Sequence, residues 1–295
     1  MANVDPAVDL DLAQLRALAA AVDEGSFDAA AAVLHVTPSA VSQRIKALES
    51  AAGAVLLLRS RPVQVTEAGR AYLRLARQVD ALTHDLRNAD ETGAPPVVAL
   101  AANGDSLGTW ALPALAPLAG ELRFDIRRED QDHSAALLRE GVVMAAITTD
   151  AHPVQGCTVR RLGVMRYRPM ASPEYVRRWL PAGTTVDELA VAPVVMFDRR
   201  DYLQDRYLRR RTRRRLDPPR HYIPATREFE AAVRHGMGWG MLPDQQIADR
   251  TEGLVTIDPD AHVDVVLYWQ QWKLRTTALD RTAAAIQAAA RAHLT

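Results

Sequence analysis

From Thr37 to Ser50 the chain reads TPSAVSQRIKALES. On helical spacing Ser39, Ser42, Gln43, Lys46 and Ser50 share one side, and Val41, Ile45 and Leu48 make an apolar stripe on the other. A solvated helix face is ordinarily rich in Glu, Lys and Arg. Short hydroxyls and an amide beside a single lysine instead suit base edges and phosphate oxygens in a major groove. Thr37 is a good N-cap and Pro38 fits the first helical position, where its missing N–H would have no intrahelical partner, so a helix is predicted to start there. An ordinary helical hairpin with a polar outer face is the competing account.

A second set of reactive groups follows successive strand-like runs. These are Asn103-Gly104-Asp105-Ser106, Glu129-Asp130-Gln131-Asp132, Thr148-Thr149, Phe197-Asp198 and Thr226-Arg227-Glu228. In an open α/β sheet a ligand lies beyond the carboxyl ends of the strands, where a helix N-terminus such as that opened by Ser106 can hold an α-carboxylate. Several carboxylates converging there repel one another unless they share a cation, which argues for a ligand bearing amino or guanidinium groups, with lysine or arginine satisfying both requirements. Trp239, in GMGWG, either lines that cleft or packs between lobes. Asp105 and Thr226 are equally suited to capping helices, and Asp130 and Asp132 to pairing with Arg127 or Arg128.

Catalysis finds little support. Cys157 stands at a strand entrance rather than at a helix start, and the sequence has no phosphate-binding glycine loop, no HExxH and no paired-cysteine metal spacing. No cofactor and no metal are expected.

The elements that must position these groups can be followed along the chain. Leu12, Leu15, Leu18, Ala19 and Val22 give a first helix that Gly25 ends. Phe27, Ala30, Ala31 and Leu34 give a small-residue helix that turns at His35-Val36 into the one starting at Thr37, which is helix-turn-helix order. Arg59 and Arg61 lie on a short turn held by Pro62, before a strand-like step from Val63 to Val65. That segment reads as a wing able to touch phosphates. Thr66 can cap a long helix reaching about Asp90, ~36 Å at ~1.5 Å per residue. Its stripe of Tyr72, Leu75, Ala76, Val79, Leu82 and Leu86 is expected to meet the same helix of a second chain, the alternative being its own C-terminal domain. ETGAPP is a linker by composition.

After the linker, strands and helices alternate: VVALAA, Ser106 to Leu118, FDIRRE, His133 to Gly141, VVMAAITT. A second group has strands near Arg166 to Ala171, Val194 to Phe197 and Trp239 to Leu242, and helices near Pro173 to Leu180, Thr226 to His235 and Pro243 to Asp249. VDVVLYWQQWK and a helix from Thr277 to His293 return to the first lobe. This order predicts a parallel α/β sheet in two lobes crossed more than once. The basic run from Asp205 to Leu216 reads best as a solvated amphipathic helix with Tyr207, Leu208 and Leu216 inward, and otherwise as a further nucleic-acid patch.

GSFDAAAAVLHVTPSAVSQRIKALE, followed at the right distance by TEAG, resembles the N-terminal domain of LysR-type transcriptional regulators. RSRPVQVTEAG, ANGDSLGTW, EDQDHS, MRYRPMAS and GMGWGMLP resemble the branch of that family that senses lysine and arginine and controls their export. The resemblance implies a winged helix-turn-helix (1–65), a linker or dimerisation helix (66–92) and a two-lobed, periplasmic-binding-protein-like effector domain (93–295). Lobe I would span about 93–167 and 268–295, and lobe II about 168–267.

Ser39, Ser42 and Gln43 would then read promoter DNA, with Thr37, Pro38, Lys46, Arg59 and Arg61 along the backbone. The effector would meet Asn103, Asp105, Ser106, Asp130, Gln131, Asp132, Thr148, Thr149, Phe197, Asp198, Glu228 and Trp239. Homodimers or homotetramers, and a contact with RNA polymerase, follow from the same resemblance.

Bulk properties are consistent with this and do not announce it. At 295 residues and 48% apolar the chain can hold two or three domains, and no run approaches a membrane span. MANVDPAVDLDL lacks an export-signal pattern and Cys157 is alone, so a cytoplasmic location is expected. That also counts against an exported solute-binding protein. Net charge is zero, and up to Val65 the basic Arg16, Arg44, Lys46, Arg59 and Arg61 face seven acids, but the basic groups gather where a recognition helix and wing would place them.

Overall fold

The computed structural model describes residues 10–88, 95–129, 134–247 and 252–295. Its N-terminal body is built from α1 (Leu12–Asp23), α2 (Phe27–Val33) and α3 (Pro38–Ala52). Each of these helices starts at a side-chain cap: Asp11 accepts from Ala13 N at 2.7 Å, Ser26 from Ala29 N at 3.1 Å and Thr37 from Ala40 N at 3.2 Å. Leu15, Leu18, Ala30, Val41, Ile45 and Leu48 close the core between them. His35 adopts φ 53° at the corner before α3.

The wing consists of β1 (Leu57–Leu58) antiparallel to β2 (Gln64–Val65). Glu49, near the end of α3, accepts from Leu56 N at 2.8 Å and Leu57 N at 3.3 Å. Recognition helix and wing are therefore joined by a charged acceptor holding two backbone donors.

Thr66 accepts from Gly69 N at 3.0 Å and starts α4 (Glu67–Asn88). Its 22 residues span about 33 Å. Leu73 and Ala76 are buried in the N-terminal core, so part of the stripe expected to meet another chain is spent inside this one. Leu82 stays exposed at 41%. Asp90 and most of the ETGAPP linker lie outside the described residues.

The second body runs β3 (Val97–Ala102), α5 (Gly104–Ser106), a π-turn over Leu107–Ala111, α6 (Leu112–Leu115), β4 (Arg123–Arg128), α7 (Ser134–Arg139) and β5 (Ala145–Thr148). It continues with β6 (Cys157–Ala171), α8 (Pro173–Trp179), α9 (Val186–Val191), β7 (Val194–Met196), α10 (Leu203–Arg211), β8 (Arg220–Tyr222) and α11 (Thr226–Arg234). It ends with β9 (Gly240–Pro243), α12 (Asp244–Ile247), β10 (Val255–Thr256), β11 (Val263–Trp272) and α13 (Thr277–His293).

β3 lies between β4 and β5, parallel to both, as the alternating pattern predicts. Beyond these three strands the sheet turns antiparallel. β11 runs antiparallel to β5 and then along β6 from Val263 opposite Tyr167 to Trp272 opposite Cys157. The far half of β6 carries β9 and β10, so these two strands pass from one lobe into the other. β6 begins at Cys157, well before the expected Arg166, because its first half carries exposed polar groups such as Thr158 and Arg160 and shows no apolar run.

The basic run of 205–216 forms α10 and the turn after it, with Tyr207, Leu208 and Leu216 buried. Arg220 pairs with Asp205 at 2.9 Å and Arg211 with Asp258 at 3.0 Å. Among the described residues no helix is long and apolar enough to cross a membrane.

Leu73 fastens α4 to the three-helix core, and its truncation leaves a cavity there. Leu73→Ala is expected to destabilise the N-terminal body by about 2–5 kcal/mol. Chemical denaturation followed by local probes should show that body unfolding earlier while the second body keeps its midpoint.

Candidate functional site

On α3 the exposed Ser39, Gln43 and Lys46 and the half-buried Ser42 form one outer face, as their spacing predicts. Thr37 uses its oxygen on the cap, and Pro38 occupies the first turn beside it. Arg61 is exposed on the wing turn, before a cis bond to Pro62. Arg59 leans back over the Phe27 ring, 5.6 Å from its centroid, so the start of α2 orients it.

The second site is a cavity between the lobes. Lobe I supplies Asn103, Gly104 and Asp105 from the turn after β3, and Tyr167 from β6. The loop after β7 brings Phe197, Asp198, Arg200, Asp201 and Tyr202, while Thr226, Met241 and Gln246 close the other side. The lobes approach closely here: a Cβ on Gly104 would stand 2.8 Å from the Thr226 hydroxyl, so a larger residue would push that side chain away.

Three carboxylates share this cavity. Tyr167 donates to Asp105 Oδ2 at 2.8 Å, and the Thr226 hydroxyl also bonds this carboxylate. Asp201 accepts from Phe197 N at 2.9 Å and Leu203 N at 3.0 Å, while Asp198 accepts from Arg200 N and Asp201 N. Burial raises Asp105 from 3.8 to about 6, and the charge of Asp201 adds to the rise against the opposing hydroxyl bonds. Asp201 is raised too, by burial first, with Asp198 adding repulsion.

Of the expected effector contacts, Asn103, Asp105, Phe197 and Asp198 meet in this cavity. Asp130, Gln131 and Asp132 lie outside the described residues. The other five are placed elsewhere, each for a local reason. Ser106 is buried under its turn, its N–H bonded to Asn103 Oδ1 at 2.7 Å. Thr148 is buried, paired with Tyr268 of β11 and accepting at its hydroxyl from Asp150 N at 3.1 Å, and the half-buried Thr149 that follows it is not in the cavity wall. Glu228 is on the exposed side of α11, opposite the buried Phe229. Trp239 is fully buried with its ring edge-on to Tyr207 at 5.2 Å, which is the core-packing alternative.

Neither Asp105 nor Thr226 is an N-cap. Asn103 caps α5, and Ala225 precedes α11 without a side-chain cap. Tyr167, Arg200, Asp201 and Gln246 were not singled out. Only Asp201, three residues after Asp198 in an acidic loop, carried a signal that could have found it.

The raised Asp105 carboxyl makes stability depend on pH. The folded state binds this proton more tightly than the unfolded one, so its stabilisation is fully present below about 3.8 and is lost as pH rises through about 6. Ionised Asp105 then weakens the ligand-free fold by at most about 3 kcal/mol. Asp105→Asn is expected to raise the melting temperature near neutral pH and to flatten its dependence between those values, as calorimetric scans across pH would register.

Residues 12–70 match the family described as "Bacterial regulatory helix-turn-helix protein, lysR family", and residues 96–291 match the "LysR substrate binding domain". The chain is 46% identical to ArgP of Mycobacterium tuberculosis, whose crystal structure superposes with a TM-score of 0.88 over 97% of this chain and 99% of that one. It is 41% identical to the "Lysine export transcriptional regulatory protein LysG" of Corynebacterium efficiens, over 92% of this chain and 95% of that protein. Full-length LysG of Corynebacterium glutamicum, solved with arginine bound as effector, is 34% identical with a TM-score of 0.77, covering 97% and 99%. A helix-turn-helix with a wing, a long connecting helix and a two-lobed domain around a cavity thus coincide with both halves of one family's pattern, and the chain belongs to the LysR family of transcriptional regulators.

Proposed function

We propose that this regulator senses a basic amino acid, lysine or arginine, in the cavity between its lobes and reports it on a promoter that controls export of that amino acid. The observation that carries this reading is the sharing of one partly desolvated cavity by Asp105, Asp198 and Asp201. A guanidinium or ammonium among them relieves their mutual repulsion, which a neutral side chain cannot do. The arginine-bound LysG of C. glutamicum and the lysine-export name of its C. efficiens relative support the same ligand class.

The ligand touches both lobes and favours whichever closure brings its contacts together, shifting the equilibrium only by its differential affinity for the two states. Two chains joined along α4, as a dimer or as half of a tetramer, would carry that change to paired recognition helices and to RNA polymerase. Ser39, Ser42 and Gln43 read bases, while Thr37, Pro38, Lys46, Arg59 and Arg61 lie along the backbone. The protein works on DNA in the cytoplasm and performs no catalysis.

Thermal shifts against the common amino acids test the sensor. At ~100 times its dissociation constant a ligand adds ~2.7 kcal/mol, and that gain should be confined to lysine, arginine and close analogues, and be lost in Asp105→Asn. Affinity by calorimetry should rise with pH up to about 6 and then level, because the Asp105 proton must leave before a cation can pair there. A shift with neutral amino acids of equal size would overturn the ligand class.

For the reader, Ser42→Ala with Gln43→Ala should cut discrimination between promoter and random DNA by tenfold or more, on the order of 1–3 kcal/mol per lost base contact. Competition binding measures this, and unchanged discrimination would refute the base-reading assignment.

A further inference from the structure

Arg70, Arg74 and Arg77 recur at helical spacing on α4 and all three face the protein's own effector domain. Arg70 approaches Glu140 at 3.5 Å. Arg77 donates to the Gly141 carbonyl and, through its other terminal nitrogen, to Asp23 on α1, so one side chain bonds the N-terminal body and lobe I together. Arg74 lies between them against two turns of lobe I, both made by glycine in the left-handed region: Gly141 at φ 71° and Gly156 at φ 76°. A Cβ on Gly141 would stand 2.6 Å from Arg74 Cα, and one on Gly156 would overlap the Arg74 guanidinium. The Gly141 turn therefore admits the α4 backbone as well as its own curvature, while the Gly156 turn receives the Arg74 guanidinium.

Beside this contact the two bodies separate. An open groove runs between the N-terminal body and lobe I, lined by the charged Asp23, Asp80 and Arg123 and by the apolar Val97, Val142 and Trp272. Among the described residues of α4, Ala81 packs partly buried against the effector-domain core. The junction itself is held by charged side chains on backbone and carboxylate, and the groove leaves the apolar groups beside it open to solvent, unlike the closed Leu73 contact with the three-helix core. Interfaces of this polar kind between domains permit relative motion.

We infer that the arginine row of α4, seated on Gly141 and Gly156, is a releasable clasp that fixes the angle between the reading head and lobe I of the same chain, and through which lobe closure moves that head. The part played by lobe closure rests on the effector reading given above; the clasp itself does not. None of Arg70, Arg74 and Arg77 lines the cavity between the lobes, and in this proposal they are positioning residues.

The test uses the full-length protein with two variants that open the clasp from opposite sides, Arg74→Ala with Arg77→Ala, and Gly156→Val. Hydrogen–deuterium exchange without ligand should rise several-fold in the turns around 139–143 and 154–158 in both variants. Promoter affinity is then compared with and without millimolar L-arginine. The ratio seen in the wild type should fall toward one in the variants, while the thermal shift given by L-arginine stays at its wild-type size.

Unchanged exchange in the two turns would overturn the clasp. So would a full promoter response with the contact open, or loss of the arginine-induced thermal shift along with it, since the row would then be only structural support. If the wild type itself ignores L-arginine and L-lysine, the effector reading fails, and the exchange result still decides the clasp.

Discussion

The antiparallel ladder between β6 and β11 is the constraint on which the rest of the effector domain depends. Val263 to Trp272 is paired with Tyr167 to Cys157, and β6 then runs on past the ladder to carry β9 and β10. Two strands hydrogen-bonded along this length resist sliding and tolerate twisting, because slipping breaks the whole register whereas a change of twist costs each bond little. The register shift between Leu267 and Tyr268, opposite Gly163, marks where the ladder already bends. The cavity lies against this pair, with Tyr167 of β6 in its wall, so a ligand bound there would contact the strands that join the lobes.

The cavity adds an electrostatic bias to that mechanical element. Crowded carboxylates raise the free energy of any arrangement that brings the lobes' acids together, and the hydroxyls of Tyr167 and Thr226 on Asp105 offset only part of it. On the reading proposed above, a bound cation would offset that repulsion, and the same carboxylates would then serve both selectivity and closure.

The DNA-binding half was legible in the sequence because its signals are local. Thr37 with Pro38, and Thr66, mark helix starts through bonds made within three residues, and Val41, Ile45 and Leu48 repeat at helical period. The α13 bounds, Thr277 to His293, were readable for the same reason. Half of the cavity was legible as strand ends, through Asn103, Asp105, Phe197 and Asp198. Tyr167 was not, because its direction is set by pairing with Val263, nearly a hundred residues away in sequence. Thr148 and Trp239 show the converse. A strand end and a glycine-flanked tryptophan look like site features in sequence, and the structure buries both, the one beside β11 and the other against Tyr207. Likewise Leu73 falls outside the helix stripe because α1, not a second chain, sets which side of α4 is inward.

The Glu49 carboxylate, bonded to Leu56 N and Leu57 N, joins recognition helix and wing into one piece. This tie resists relative motion of helix and wing, and so limits how a sensor could retune the grip on one half-site. In the dimer proposed above, control would pass instead to geometry between heads: how far apart they stand and how they are tilted. Two promoters with identical half-sites but different spacing would then be ranked differently by the ligand-free and liganded protein. On that basis a genome could encode the direction of the response in the number of base pairs between half-sites rather than in their letters.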